Sequence, residues 1–312
     1  MSAPTASSLP LLLARPLRDL TLRASDHPRG APHLSAASGL VCAHGRAYVI
    51  ADDEHHLAVF RDLRSPGTLH RIRGGDLPGK TKARKRRKPD LETLLWLPAF
   101  GEAGTLVALG SGSRENRCTG VAIPLDGRGR PLAQVQAFDL APLYGPLSQQ
   151  LGGLNIEGAV TIGDDIVLLN RGGRDGLANA AVRFSLATMH TLMRGSRDVD
   201  ARTSIQHFDL GHLDGVALGF TDGAARADGS WLFSAAAERS DDSVADGPCA
   251  GSVVGQVSAR GQLMAVQRLD SRDKVEGIAV QPDGPAICLV TDADDPLRCA
   301  RLLRAAWPDA LG

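Results

Sequence analysis

The chain is poor in aromatic surface: of 312 residues only three are Trp, two Tyr and seven Phe. A groove that stacks bases or sugar rings needs several such side chains in a row, so single-stranded nucleic acid and sugar polymers are poor candidate ligands. Net charge is also missing, with 35 Lys and Arg against 35 Asp and Glu. Any attraction for a polyanion or a membrane surface must therefore be local. The five cysteines are odd in number and include no C-x-x-C pair and no His-spaced set, which implies neither a disulfide framework nor a zinc site. No apolar run approaches the roughly 18 to 20 residues of a spanning helix. The opening MSAPTASSLPLLLARP has no basic residue ahead of its short apolar patch, unlike a secretory signal. The expectation is a cytoplasmic monomer without membrane or specific nucleic-acid partners.

What the chain does have is a repeat. A polar residue, usually followed by a small one, precedes an apolar run at Ser38-Gly39, Glu92-Thr93, Glu157-Gly158, Asp214-Gly215 and Glu276-Gly277, with spacings of 54, 65, 57 and 62. After each comes a turn-rich gap and a second apolar run (AYVIA, TLVALG, IVLLN, WLFSAAA, AICLVT), then a third. Gly, Pro, Asn and Asp in the gaps supply the φ values that tight strand connections need. Four units close with an alternating run (GTLHRIR, AQVQAFDL, TSIQHFDL, QLMAVQRLD), the period expected of half-exposed outer strands, whereas continuous apolar runs fit buried inner ones.

The fifth unit lacks its fourth strand, and residues 14–22 (ARPLRDLTL) have the required length and alternation. Joining both ends of the chain in one sheet closes a ring and removes exposed sheet edges. The pattern predicts an all-β protein, a single-domain five-bladed β-propeller over 1–312. Its blades lie near 35–75, 90–140, 155–210, 212–270 and 274–306, the last closed by 14–22. Six blades are the alternative, with short strands hidden in 141–154 and 187–203; a pair of β-sandwiches is the other fold weighed.

In a four-stranded blade the connections after the second strand and before the first share one face of the ring. That face receives residues 52–56, 111–117, 170–175, 238–242 and 292–295. It also receives the 76–89 segment, expected as a basic flexible loop: Lys80 to Lys88 holds seven cations in nine residues and four of the chain's five lysines. Such a run is a solvated loop or an electrostatic gate for an anionic substrate.

The residues heading the innermost strands, Ser38, Glu92, Glu157, Asp214 and Glu276, would bring four carboxylates and a hydroxyl around one axis. Like charges so close raise one another's pKa unless a cation sits among them. Hard oxygen ligands suit a divalent metal, calcium or magnesium, with calcium favoured; the alternative is that these residues pin neighbouring blades. Arg114, Arg171 and Arg239 follow the second strand in three units and would either clamp an anionic substrate or neutralise the acids. His55 and His56 beside Asp52 and Asp53 are a weaker metal candidate. No G-x-S-x-G elbow supports acyl-enzyme chemistry.

The phrases NIEGAVTIGDDIVLLNRG (155–172) and KVEGIAVQPDGPAICLVTDAD (274–294) resemble the repeat units of bacterial esterase-like phytase propellers. KPDLETLLWLP (88–98) and VALGSGSRENRCTGVAIPL (107–125) resemble an uncharacterised bacterial propeller family related to them. One oxygen-bearing residue per blade around a central cation is similar to the five-bladed calcium-activated nucleotidases, or apyrases. These resemblances imply a metal-dependent hydrolase of a small phosphorylated or otherwise anionic ester. Glu157 or Glu276 would be general base, Arg114, Arg171 and Arg239 would bind substrate, and Ser38, Glu92, Glu157, Asp214 and Glu276 would hold the metal. The alternative function is a non-catalytic propeller that binds a partner through its loop face and basic segment.

Overall fold

Five four-stranded antiparallel sheets form the ring in a computed structural model that describes residues 9–98, 100–173, 177–199, 202–239, 249–281 and 284–308. From the axis outwards, the first blade runs Ala37–Ala43, Arg46–Ala51, His56–Phe60 and Thr68–Arg71. The second runs Leu91–Leu97, Thr105–Gly110, Thr119–Pro124 and Gln136–Asp139, and the third Ile156–Ile162, Asp165–Asn170, Asn179–Ser185 and Ser204–Phe208. The fourth is Gly219–Ala225, Trp231–Glu238, Cys249–Val257 and Leu263–Leu269. The fifth is Lys274–Val280, Ala286–Asp292 and Arg301–Ala306, completed by Arg15–Asp19 from the start of the chain. Continuous apolar runs are the buried second strands, and alternating runs are the half-exposed outer ones. A short strand, Leu11–Leu12, also adds in parallel to the outer edge of the fourth blade, so one N-terminal segment stitches two blades.

The apolar core divides into five clusters, one between each pair of adjacent blades. Polar pins supplement them. The Ser38 hydroxyl donates to the Leu91 carbonyl at 2.7 Å, the Asn179 amide donates to the Leu218 carbonyl at 2.7 Å, and Asp222 accepts the Ile278 N–H at 2.9 Å. A buried backbone group left unpaired would cost ~1–3 kcal/mol, so each pin both satisfies a donor or acceptor and fixes blade register.

The two segments held in reserve for a sixth blade are helices: α2 (Ala141–Leu151) and α3 (Leu186–Met193), whose Leu143, Tyr144, Met189 and Leu192 fill the groove between the second and third blades. The basic run also differs from expectation. It folds as a third helix, α1 (Thr81–Arg87), because Arg84 turns inward to Asp53 at 2.8 Å and to the Gly79 carbonyl at 2.9 Å, which anchors the turn. Among the described residues no helix is long and apolar enough to cross a membrane. Of the expected loop segments, residues 174, 175 and 240–242 lie outside the described residues.

The fourth blade corrects the repeat. Its innermost strand is Gly219–Ala225, not the run after Asp214. Asp214 and Gly215 instead turn a two-residue hairpin between His212–Leu213 and Val216–Ala217, both with positive φ (50° and 78°). Asp-Gly is the preferred pair for that turn, so the dipeptide that looked like a repeat unit is a connection.

Candidate functional site

Every innermost strand carries an irregularity at the same point. Register shifts fall between Ala37 and Gly39, Leu91 and Thr93, Ile156 and Gly158, Phe220 and Asp222, and Val275 and Gly277. The extra residue of each bulge is Ser38, Glu92, Glu157, Thr221 or Glu276. A bulge bends its strand and re-aims one side chain, and here it turns these residues towards the axis. The fifth member of the ring is therefore Thr221 rather than Asp214, and its hydroxyl is fully buried, donating to the Ser234 hydroxyl at 2.8 Å. Ser38 is likewise spent on its pin to Leu91.

The three carboxylates Glu92, Glu157 and Glu276 line one cavity of about 790 Å³ at the loop face. Three more acids reach it from the ends of second strands or just beyond them: Asp52, Glu238 and Asp292. Asp90 reaches it from the segment entering the second blade. Such density of negative charge is tolerated because four cations stand among them. Arg171 lies 2.7 Å from Glu238 Oε2, 3.4 Å from Glu157 Oε2 and 3.8 Å from Glu276 Oε1. Lys274 Nζ lies 2.7 Å from Glu238 Oε1 and 3.0 Å from Glu276 Oε1, with Asp294 at 3.2 Å and Asp292 at 3.5 Å. Lys88 Nζ binds Asp90 at 2.7 Å and also binds Asp52, while Arg117 donates to Asp90 Oδ2 at 2.6 Å.

The cations are unevenly shared, which sets the protonation pattern. Burial works against ionised Asp90, but Lys88 and Arg117 outweigh it and hold its carboxyl below the ordinary range. Burial pushes Glu276 up to about 7, with Glu157 and Glu238 adding to the rise and Lys274 and Arg171 opposing it. Burial raises Glu157 too, against the pull of Arg171 and Lys274. Glu92 is driven well above the ordinary range by burial and by Asp90, Glu157 and Asp52, with Lys88 the opposing charge. The cavity therefore holds two carboxyl groups, Glu92 and Glu276, that burial lifts above the ordinary carboxylate range, the direction in which acid–base chemistry tunes its carboxyls.

Of the predicted substrate arginines, Arg171 is buried and committed to the acids. Arg114 is exposed at the rim of the cavity, and Arg239 is exposed and not among the described residues that line it. The repeated position after the second strand thus leads to three different places, because the connecting loops differ in length and path. α1 supplies the rim cations instead. Lys82 and Arg86, together with Arg114, line the mouth and make no ion pair with a described residue.

For a metal, the best donors are not the anticipated ring but Asp52, Asp90 and Glu92, which offer one carboxylate oxygen each within 4.8 Å of one another. Hard oxygen donors suit calcium or magnesium, yet the Lys88 ammonium already bonds to two of the three. The cluster His55 and His56 lies apart from this, beside Glu54, which is engaged by His27 at 2.9 Å and by Arg29. Burial there lowers His56 to about 4.

Sequence reasoning passed over Lys88, Asp90, Glu238 and Lys274 as channel residues. A signal was available for one of them: Lys274-Val-Glu276 places two polar residues on one face of a strand, two apart, whereas Lys88 and Asp90 precede their strand, Asp90 with a φ of 55°.

Among curated proteins none matches the chain. Among solved structures, glutaminyl cyclase of Myxococcus xanthus superposes with a TM-score of 0.51 at 12% identity, covering 96% of this chain and 100% of that one. Regucalcin of Agrobacterium tumefaciens, a calcium-binding protein, gives 0.44 at 9% identity over 98% of each chain. The aldose sugar dehydrogenase of Streptomyces coelicolor gives 0.46 at 13% identity over 94% and 97%. Likeness at these identities shows the propeller fold alone, and the resemblance to phytases and apyrases rests on the sequence motifs only. A family model covers residues 33–306, and the chain belongs to that family, the family of unknown function DUF6929.

Proposed function

We propose that the protein is a hydrolase of a small anionic ester, phosphorylated or carboxylated, acting in the central cavity. One observation carries this reading: Glu92 and Glu276, with carboxyl groups pushed upward by burial, face a single cavity whose mouth is lined by Lys82, Arg86 and Arg114. The rim cations draw in an anionic ligand and orient it. Glu276, ionised above about pH 7, takes a proton from water, and neutral Glu92 donates one to the departing oxygen. Glu157 does not serve as the base in this scheme; with Asn155 donating to it at 2.6 Å and Arg171 beside it, it holds the guanidinium in place.

A divalent cation, with calcium taken as the probe, would fit Asp52, Asp90 and Glu92 only with the Lys88 ammonium displaced and Glu92 ionised, a form in which Glu92 no longer serves as the acid. When bound it would supply positive charge for the anionic group. The experiment is turnover of a panel of small phosphate and carboxylate esters by wild type and Glu276→Gln, with and without calcium. Loss of at least ~100-fold in the variant is the expected result. Equal rates for both proteins on every ester would remove the catalytic reading.

A second reading, a non-catalytic binding propeller, draws on the near-complete internal pairing of Arg171 and Lys274, which suits a structural plug. It predicts ligand retention at the rim that depends on Lys82 and Arg86 and is indifferent to Glu276.

A further inference from the structure

Cys42 stands four residues along the innermost strand of the first blade from Ser38. Four strand residues span ~13 Å, so it sits well away from the acidic end of that strand. Cys288, on the second strand of the fifth blade, meets it across the seam where the ring closes, and both line a separate cavity of about 380 Å³. Cys42 packs against the seam cluster that contains Cys288, both line the same cavity, and the Cys288 sulfur accepts the Gln281 amide at 3.3 Å. Neither residue has a role in the channel. The other three cysteines each donate to a backbone carbonyl instead: Cys118 to Arg114 at 3.5 Å, Cys249 to Gly251 at 3.5 Å and Cys299 to its neighbour Ala300 at 3.2 Å.

We propose that Cys42 and Cys288 are a dithiol modification site, oxidised by hydrogen peroxide to a disulfide that ties the first blade to the fifth. The Cys42 thiol beside it, the Gln281 amide and the charge of Arg304 favour the thiolate at Cys288, so its pKa falls below the ordinary thiol value although burial opposes this. The neighbouring Cys288 sulfur, with burial, raises Cys42. Roles follow from that division. The Cys288 thiolate attacks one peroxide oxygen, the O–O bond breaks, hydroxide leaves, and Cys288 becomes a sulfenic acid, its sulfur oxidised by two electrons. Cys42 then attacks that sulfur as its own proton passes to the departing hydroxyl; the S–S bond forms, the S–O bond breaks and water leaves. Two thiols and one peroxide give one disulfide and two waters. Hydrogen peroxide is small enough to enter the cavity and reach Cys288, which is only 2% exposed.

The test is peptide mapping of the intact protein after stoichiometric hydrogen peroxide at neutral pH, with alkylation before non-reducing digestion. The expected result is loss of two of the five free thiols, one cross-linked peptide pair containing Cys42 and Cys288, reversal by dithiothreitol, and a Tm raised by roughly 5 °C through closure of a long loop. Cys42→Ser should leave Cys288 as a sulfenic acid that dimedone traps. The triple variant Cys118→Ser, Cys249→Ser, Cys299→Ser should keep the cross-link, and it carries the test should Cys42→Ser not fold. The proposal is overturned if Cys42 and Cys288 remain fully alkylated, if Cys288 passes to sulfinic acid without a cross-link, or if the cross-link joins any other pair.

Discussion

Arg171 and Lys274 neutralise the channel from within, each largely buried among the acids it answers. Taking two charges out of water is expensive, and removing one partner of a buried pair leaves the other uncompensated, at a cost of about 3–5 kcal/mol. Arg171→Met should therefore destabilise the protein by that order, read as a lower urea midpoint with an unchanged slope. A wild-type midpoint would mean that Glu157 and Glu238 simply take up protons. Glu276 provides the pH prediction. Its folded pKa of about 7 lies above the ordinary 4.5, so folding favours the neutral form. That contribution to stability is fully present below pH 4.5 and is lost as pH rises through 7. Activity has the opposite sign, because the base must be ionised: the rate should climb between about pH 6 and 8, and a profile flat over that range would exclude Glu276 as the base.

At the scale of elements, the bulged inner strand is the device that makes the site. The residue after the bulge is Gly in three blades because the neighbouring strand comes too close for a side chain. A Cβ on Gly158 would lie 2.5 Å from the Asp222 Cα, a backbone atom that cannot yield cheaply. Gly158→Ala is expected to cost about 1–3 kcal/mol or more by overpacking, measured by thermal unfolding. α1 is the second device. It ends at Lys88, whose ammonium competes with any metal for Asp52 and Asp90. Lys88→Met should raise calcium affinity at least ~10-fold in calorimetric titration, since it removes the competing charge; no binding in either protein would show that the acidic triad is structural.

For the whole molecule, closure depends on Arg15–Asp19 pairing with Arg301–Ala306. Deletion of residues 1–20 exposes that edge and strips Leu20 from the seam cluster. The expected outcome is a large fall in Tm together with self-association by light scattering.

Blade number, strand order and closure were legible in the sequence, because continuous and alternating apolar runs report burial on two faces or one. Four of the five ring residues, Ser38, Glu92, Glu157 and Glu276, were legible for a related reason: the polar residue and small neighbour that mark a bulge recur at similar spacing. Thr221 was hidden because Asp214-Gly215 imitates the motif while serving as a turn, and only strand pairing separates the two. Which carboxyls burial lifts, which cation answers each of them, and that Lys88 bonds two of the three clustered acids Asp52, Asp90 and Glu92 were decided by the tertiary structure alone. These are sums of charge and burial over residues as far apart as Asp52, Glu157 and Lys274, brought within ångströms by ring closure, and spacing along the chain carries no record of such distances.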